Sequence, residues 1–127
     1  MENKEIIKIG ITQGDTNGIG YEVILGALSD PLVTDLFTPV VYGSRKLASF
    51  HKKALGKDSL HFNYINKAED AKTGKLNLID SCSDEINVEF GVPTKESGLA
   101  AFQSLEKAVQ DLKAGVIDAL VISPRKI

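Results

Sequence analysis

Short β-branched apolar runs alternate with amphipathic stretches along the chain, the pattern of an α/β layered fold. The first run, residues 6–11, predicts a strand. It leads through a polar, glycine-containing loop over 12–20 into a helix over 21–28. Asp30 and Pro31 follow, an N-cap residue and a proline suited to the first helical position, and together they predict a short second helix through Phe37. Residues 39–42 predict a second strand, closed by Gly43. Ser44 is placed to cap a helix that runs to about Leu55 and stops at Gly56.

Residues 62–65 and 76–79 predict two more strands, with a turn of helix over 67–71 between them. Residues 86–90 alternate apolar and polar, as a half-buried strand in a β extension or an arm would. The strongest helical pattern covers 97–114. Ala101, Phe102, Leu105, Ala108, Val109 and Leu112 fall at three- and four-residue spacing and predict one apolar stripe. Gly115 suits the C-terminal cap of that helix. Residues 118–123 then read as a buried strand around the apolar core Ala119-Leu120-Val121-Ile122.

A chain of 127 residues is enough for one domain, residues 1–127. Its 43% hydrophobic and 25% charged residues are those of an ordinary globular chain and argue against disorder. The formal net charge is −2, from 15 basic and 17 acidic side chains mixed along the sequence, so no basic stripe points to nucleic acid. Cys82 is the only cysteine, which excludes an intrachain disulfide and a Cys-x-x-Cys metal knuckle. The first residues carry no signal-peptide pattern, and no run approaches the roughly 18 apolar residues of a membrane span. The expectation is a cytoplasmic protein with no membrane partner.

Chemistry concentrates in Ile9-Gly10-Ile11-Thr12-Gln13-Gly14-Asp15-Thr16-Asn17-Gly18-Ile19-Gly20-Tyr21-Glu22, a strand, a tight loop and a helix start. Glycines there let the backbone take positive φ and let a ligand come close, while the N–H groups of the helix start favour a negative or polar group. Gly14, Gly18 and Gly20 are spaced three residues and then one, so neither the dinucleotide fingerprint nor a P-loop is present. Asp15 and Glu22 would repel a phosphate held between them. Carboxylates at these places suit ribose hydroxyls, a cationic nicotinamide ring or orientation of the loop itself. A turn whose glycines serve only geometry is the plain alternative.

The remaining candidates are weaker. Ser44, Arg45 and Lys46 after Gly43 could hold an anion at a helix start, or be an ordinary cap beside a solvated cationic face. His51 lies among lysines that oppose a metal ion, and His61 heads a strand, so structural or surface roles are expected of both. Cys82 has no nearby histidine to activate it. No Gly-x-Ser-x-Gly elbow supports a Ser–His–Asp triad.

The opening segment resembles the start of the 4-hydroxythreonine-4-phosphate dehydrogenase family, Ile-Thr-x-Gly-Asp-x-x-Gly-Ile-Gly-x-Glu. Three further pieces are similar in order: Val40-Val41-Tyr42-Gly43, Ser97-Gly98-Leu99-Ala100-Ala101 and Asp118-Ala119-Leu120-Val121. The resemblance spans essentially the whole chain. It implies an isocitrate/isopropylmalate dehydrogenase-like three-layer α/β fold, of which this chain would be the N-terminal part. It implies NAD and a divalent metal as cofactors, and a phosphorylated hydroxy-amino acid, 4-phosphohydroxy-L-threonine, as substrate. That substrate is oxidised and decarboxylated on the route to pyridoxal phosphate, in a homodimer. By similarity Gly14, Asp15, Gly18 and Gly20 would line the cofactor or substrate cleft.

The sequence departs from the family in two places. Ser123-Pro124-Arg125-Lys126 stands where members carry Thr-Ala/Gly-Pro, a residue pair and lysine, which leaves Lys126 without a fixed match. The family's Gly-His-Thr-Glu motif is absent, so no catalytic or metal-ligating residue carries over to this chain. The readings that compete are an inactive N-terminal portion of such a dehydrogenase, a non-catalytic nucleotide-binding or interaction module derived from the same fold, and a small enzyme of another class.

Overall fold

The six residues Thr38–Gly43 are buried without exception, because they form the middle strand of a five-stranded parallel sheet. The computed structural model describes residues 6–13, 20–57, 59–81 and 95–122. The elements run β1 (Lys8–Thr12), α1 (Gly20–Leu28), α2 (Val33–Leu36), β2 (Thr38–Gly43), α3 (Arg45–Ala54) and β3 (Phe62–Ile65). A 3-10 turn (Ala68–Asp70), β4 (Leu76–Asp80), α4 (Lys95–Lys113) and β5 (Ala119–Ile122) follow. The strand order is β3-β4-β2-β1-β5. The strand expected over 86–90 and Cys82 lie outside the described residues.

That order dictates the layers. The steps from β1 to β2 and from β2 to β3 cross the sheet in one direction, and the steps to β4 and β5 return. With one crossover hand, the two directions put their connections on opposite faces. Accordingly Ile24, Leu25 and Leu28 of α1 and Leu47 and Ala48 of α3 pack with Val41, Phe62 and Leu78 on one face. On the other, Ala68 of the 3-10 turn and Ala108 of α4 pack with Val40, Tyr42, Ile79 and Ile117.

Helix ends follow the chemistry expected of them. The Ser44 hydroxyl accepts from Leu47 N–H at 3.2 Å and opens α3. Gly56, at φ 68°, closes it: Gly56 N–H donates to Lys53 O and Lys57 N–H to Lys52 O, the Schellman pattern. Gly115, at φ 79°, closes α4 in the same way, with Gly115 N–H to Leu112 O and Val116 N–H to Asp111 O.

Three expectations shift. β1 begins at Lys8 rather than residue 6, because its pairing starts at Lys8 opposite Thr38; Ile6 and Ile7 are exposed before it. The second helix is a single turn from Val33. Leu32 stands at its N-cap, and Asp30, expected there, accepts from Leu32 N–H at 2.9 Å in the turn before the helix, where Pro31 also sits. The third shift is larger. The line of α4 that faces the sheet is Ala101, Ser104, Ala108 and Asp111, while Phe102 and Leu112 are exposed. The helix lies close to the sheet through small residues, and two polar groups on that line find partners there.

One of these partners is Tyr42, whose hydroxyl donates to Asp111 Oδ2 at 2.7 Å. The Tyr42 ring has room because Gly10 lies beside it: a Cβ at Gly10 would stand 3.0 Å from Tyr42 Cε1 and 2.6 Å from Ile117 Cδ1. Pro39, unusual in a central strand, is tolerated for a related reason. Thr38 N–H donates toward β1, to Ile7 O at 2.8 Å, so the imide nitrogen of Pro39 faces β4. Pairing with β4 starts only at Val40. The Pro39 carbonyl accepts from the side-chain amide of buried Asn77, whose Oδ1 accepts from Asn63 Nδ2 and Lys72 N–H.

Two measurements check this packing. Gly10→Val should destabilise the chain by about 1–3 kcal/mol in urea unfolding, the usual cost of overpacking a filled core. Burial, then the hydrogen bond to Asp111, raises the Tyr42 hydroxyl pKa above its ordinary 10.0. A raised folded-state value stabilises the protein fully below the unfolded pKa and loses that contribution as pH rises beyond it. Stability should therefore fall more steeply above about pH 10 in the unsubstituted chain than in Tyr42→Phe.

Candidate functional site

In an open parallel sheet a ligand crevice forms beyond the carboxyl ends of the strands, where neighbouring connections leave toward opposite faces. Here that place is the end of β1. The chain leaving β1 goes over the α1 face to β2, whereas the chain arriving at β5 has come over the α4 face. Thr12 pairs with Tyr42 on one side and with Ile122 on the other, so β1, β2 and β5 end level. Buried Gln13 extends the ladder by one bond, its N–H donating to Tyr42 O at 3.1 Å.

The glycine-rich segment therefore leaves the sheet at the switch point. Of the residues expected to line a cleft there, Gly20 opens α1, and the first turn of that helix also carries Glu22. Gly14, Asp15 and Gly18 lie outside the described residues, as does the 123–127 segment that follows β5. The topology brings the start and end of the 14–19 loop and the end of β5 to one edge of the sheet. The spacing of glycines could not show this, since it depends on β5 joining β1 from far along the chain.

The second candidate resolves as a cap. At the start of α3, the Ser44 hydroxyl and carbonyl accept from Leu47 and Ala48 N–H, and Arg45 N–H donates to Asp80 Oδ1 at the end of β4. A protein carboxylate already occupies the position an anionic ligand would take. The Arg45 guanidinium lies 4.2 Å from the centre of the Tyr64 ring, a cation–π contact that covers edge strand β3. Sequence reading missed Asp80; its place directly after the apolar run 76–79 was the only signal. Beside it, Ser81 N–H donates to Gly43 O at 2.7 Å, and the Ser81 and Ser104 hydroxyls lie 3.0 Å apart, tying α4 to the same sheet edge.

The histidines do not converge. His51 is buried in α3 with its ring edge-on to Phe50, and His61 is exposed before β3. Among the described residues no three His, Cys, Asp or Glu side chains group so as to hold a metal ion. Among the same residues no helix is long and apolar enough to cross a membrane.

An apolar groove of about 380 Å³ opens on the α1 face, lined by Ile9 and Ile11 of β1, Val23 and Ala27 of α1, and Val33 and Val121. Val121 and Ile122 are 52% and 57% exposed, and among the described residues β5 pairs only with β1. The strand expected to be buried over 118–123 is therefore only half-buried at Ala119 and Leu120 and exposed at Val121 and Ile122.

Fold and crevice together define a parallel-sheet α/β protein with its candidate site at the switch point. The chain belongs to the PdxA family: residues 35–126 match the family model for the pyridoxal phosphate biosynthetic protein PdxA. It is 46% identical to a 4-hydroxythreonine-4-phosphate dehydrogenase of Bacteroides thetaiotaomicron, over 97% of this chain and 33% of that protein. A Clostridium botulinum protein whose name proposes D-threonate 4-phosphate dehydrogenase activity is 33% identical over 98% of this chain and 37% of its own length. The crystal structure of a 4-hydroxythreonine-4-phosphate dehydrogenase from Burkholderia phymatum superposes with a TM-score of 0.84 at 29% identity, over 97% of this chain and 38% of that one. The chain thus spans about a third of the length of the curated relatives it matches.

Two variants test these assignments. Ser44→Ala should cost about 0.5–2 kcal/mol of stability, the usual loss of an N-cap, in thermal or urea unfolding. Val121→Lys should reduce the fluorescence of a hydrophobic dye bound to the chain, since it places a charge in the open groove.

Proposed function

We propose that this chain supplies the N-terminal third of a cytoplasmic, homodimeric dehydrogenase that uses NAD and a divalent metal. Its fold is of the isocitrate/isopropylmalate dehydrogenase-like kind. The reaction is the oxidation and decarboxylation of 4-phosphohydroxy-L-threonine on the way to pyridoxal phosphate. One observation carries the reading: in a chain of this family, the Gly-Asp-x-x-Gly-Ile-Gly segment leaves the sheet at its topological switch point. Of the two phosphorylated substrates in the relatives' names, hydroxythreonine phosphate is favoured by the higher identity.

In this reading Gly14, Asp15, Gly18 and Gly20 line the cofactor or substrate cleft. Glycine at 14 and 18 lets the ligand approach the backbone, and Gly20 presents the first N–H groups of α1. The Asp15 carboxylate suits a ribose hydroxyl or the cationic nicotinamide ring better than a phosphate. When bound, the metal would polarise the substrate hydroxyl. In this reading its ligands come from the rest of a protein of the relatives' length, since the family's Gly-His-Thr-Glu motif is absent from this sequence. The isolated chain is then a binding scaffold without turnover.

Titration of the isolated chain with NAD, followed by calorimetry, should show saturable binding that Gly18→Val weakens at least tenfold, about 1.4 kcal/mol. No hydride transfer from 4-phosphohydroxy-L-threonine should accompany it. Absence of saturable binding, or binding indifferent to Gly18→Val, would sink the cofactor-loop assignment. Turnover would sink the claim of inactivity.

A further inference from the structure

On the inner line of α4, Ala101 and Ala108 pack against the sheet as small apolar residues, but Ser104 between them is a fully buried hydroxyl. A hydroxyl taken out of water needs a hydrogen-bond partner to offset its burial. That partner is Ser81, the residue after β4, whose hydroxyl lies 3.0 Å away. The Ser81 proton is already committed. It goes to Gly43 O at 3.2 Å, and Ser81 N–H donates to the same oxygen at 2.7 Å. A serine hydroxyl has one proton to give and can accept as well. The contact therefore runs in one direction, from Ser104 to Ser81 and on to Gly43.

Gly43 ends β2, and successive carbonyls of a strand turn to opposite neighbours. Gly43 O takes the two Ser81 donors on the β4 side. Tyr42 O, on the β1 side, accepts from Gln13 N–H at 3.1 Å. Gln13 is buried and directly precedes Gly14, while Gly20 opens α1. Gln13 is thus the first anchor of the glycine-rich segment. A buried hydroxyl on the α4 layer reaches it through the ends of β4 and β2.

We propose that Ser104, acting through Ser81, is a positioning residue for the glycine-rich loop. The relay holds the end of β2 against β4, so that Tyr42 O keeps Gln13 in place at the floor of the crevice. A binding loop anchored beforehand loses less freedom when it closes on a ligand, and affinity rises accordingly. Neither serine needs to touch that ligand. The choice of NAD as the ligand rests on the cofactor-cleft reading, whereas the relay itself does not.

Ser104→Ala keeps the small-residue line of α4 and removes the donor. Amide exchange followed by NMR should show Gln13 N–H speeding up at least fivefold more than Leu25 N–H in α1, which reports general loss of stability. Ser81→Ala should do the same, and the double variant should be no worse than Ser81→Ala, because the relay is already broken. Calorimetry should show NAD bound about threefold to tenfold more weakly by each variant. Equal acceleration at Gln13 and Leu25 would mean that Ser104 only stabilises the fold, and would overturn the proposal. So would additive effects in the double variant, or an NAD affinity unchanged by the substitutions. If the unsubstituted chain binds no NAD, the cofactor-loop assignment fails by itself, and exchange at Gln13 alone decides for or against the relay.

Discussion

Tyr42 lies beside Gly10, and its hydroxyl donates to Asp111 on the helix that covers that face. This contact joins two distant parts of the chain, the first βαβ unit and the returning crossover. It also explains why a polar residue occupies the inner line of α4. A buried tyrosine hydroxyl without a partner costs about 1–3 kcal/mol, and a buried carboxylate without a donor costs more. Each group removes the other's cost only if the helix sits at this height and rotation. Gly10 makes the height possible, because any side chain there would displace the ring or Ile117.

Once α4 is set in that way, β5 is delivered to the free side of β1, and the switch point follows. The site is thus a consequence of connectivity more than of any one loop. β1 is flanked by strands reached over opposite faces, so the connections diverge above it and leave room for a ligand. The same connectivity leaves β5 with an open edge and Val121 exposed over an apolar groove. Edge strand β3, in contrast, is covered by the Arg45 guanidinium over Tyr64. Natural sheets guard their edges with charge in this manner.

Local chemistry was legible where it acts over a few residues. Ser44, Gly56 and Gly115 mark helix ends through hydrogen bonds to neighbours three to five positions away, and each stands where its residue type placed it. Strand β3 was bounded to the residue by its apolar run. The helical stripe of α4 misled, because Phe102 and Leu112 are more hydrophobic than Ser104 and Asp111 yet stay exposed. Periodicity identifies a helix and its period. It cannot tell which line of the helix faces a sheet whose central strands carry a tyrosine hydroxyl and a glycine.

By itself, therefore, the sequence determined the order and type of the elements, their caps, the glycine-rich loop and the family to which they belong, since all of these rest on short-range backbone preferences and local motifs. Tertiary structure alone decided that β5 lies beside β1, that Asp80 fills the start of α3, that Asp111 serves Tyr42, and that the glycine loop leaves from a switch point. Those facts depend on residues many positions apart meeting across a sheet. Their partners are chosen by burial and hydrogen-bond satisfaction in three dimensions, which no local pattern records.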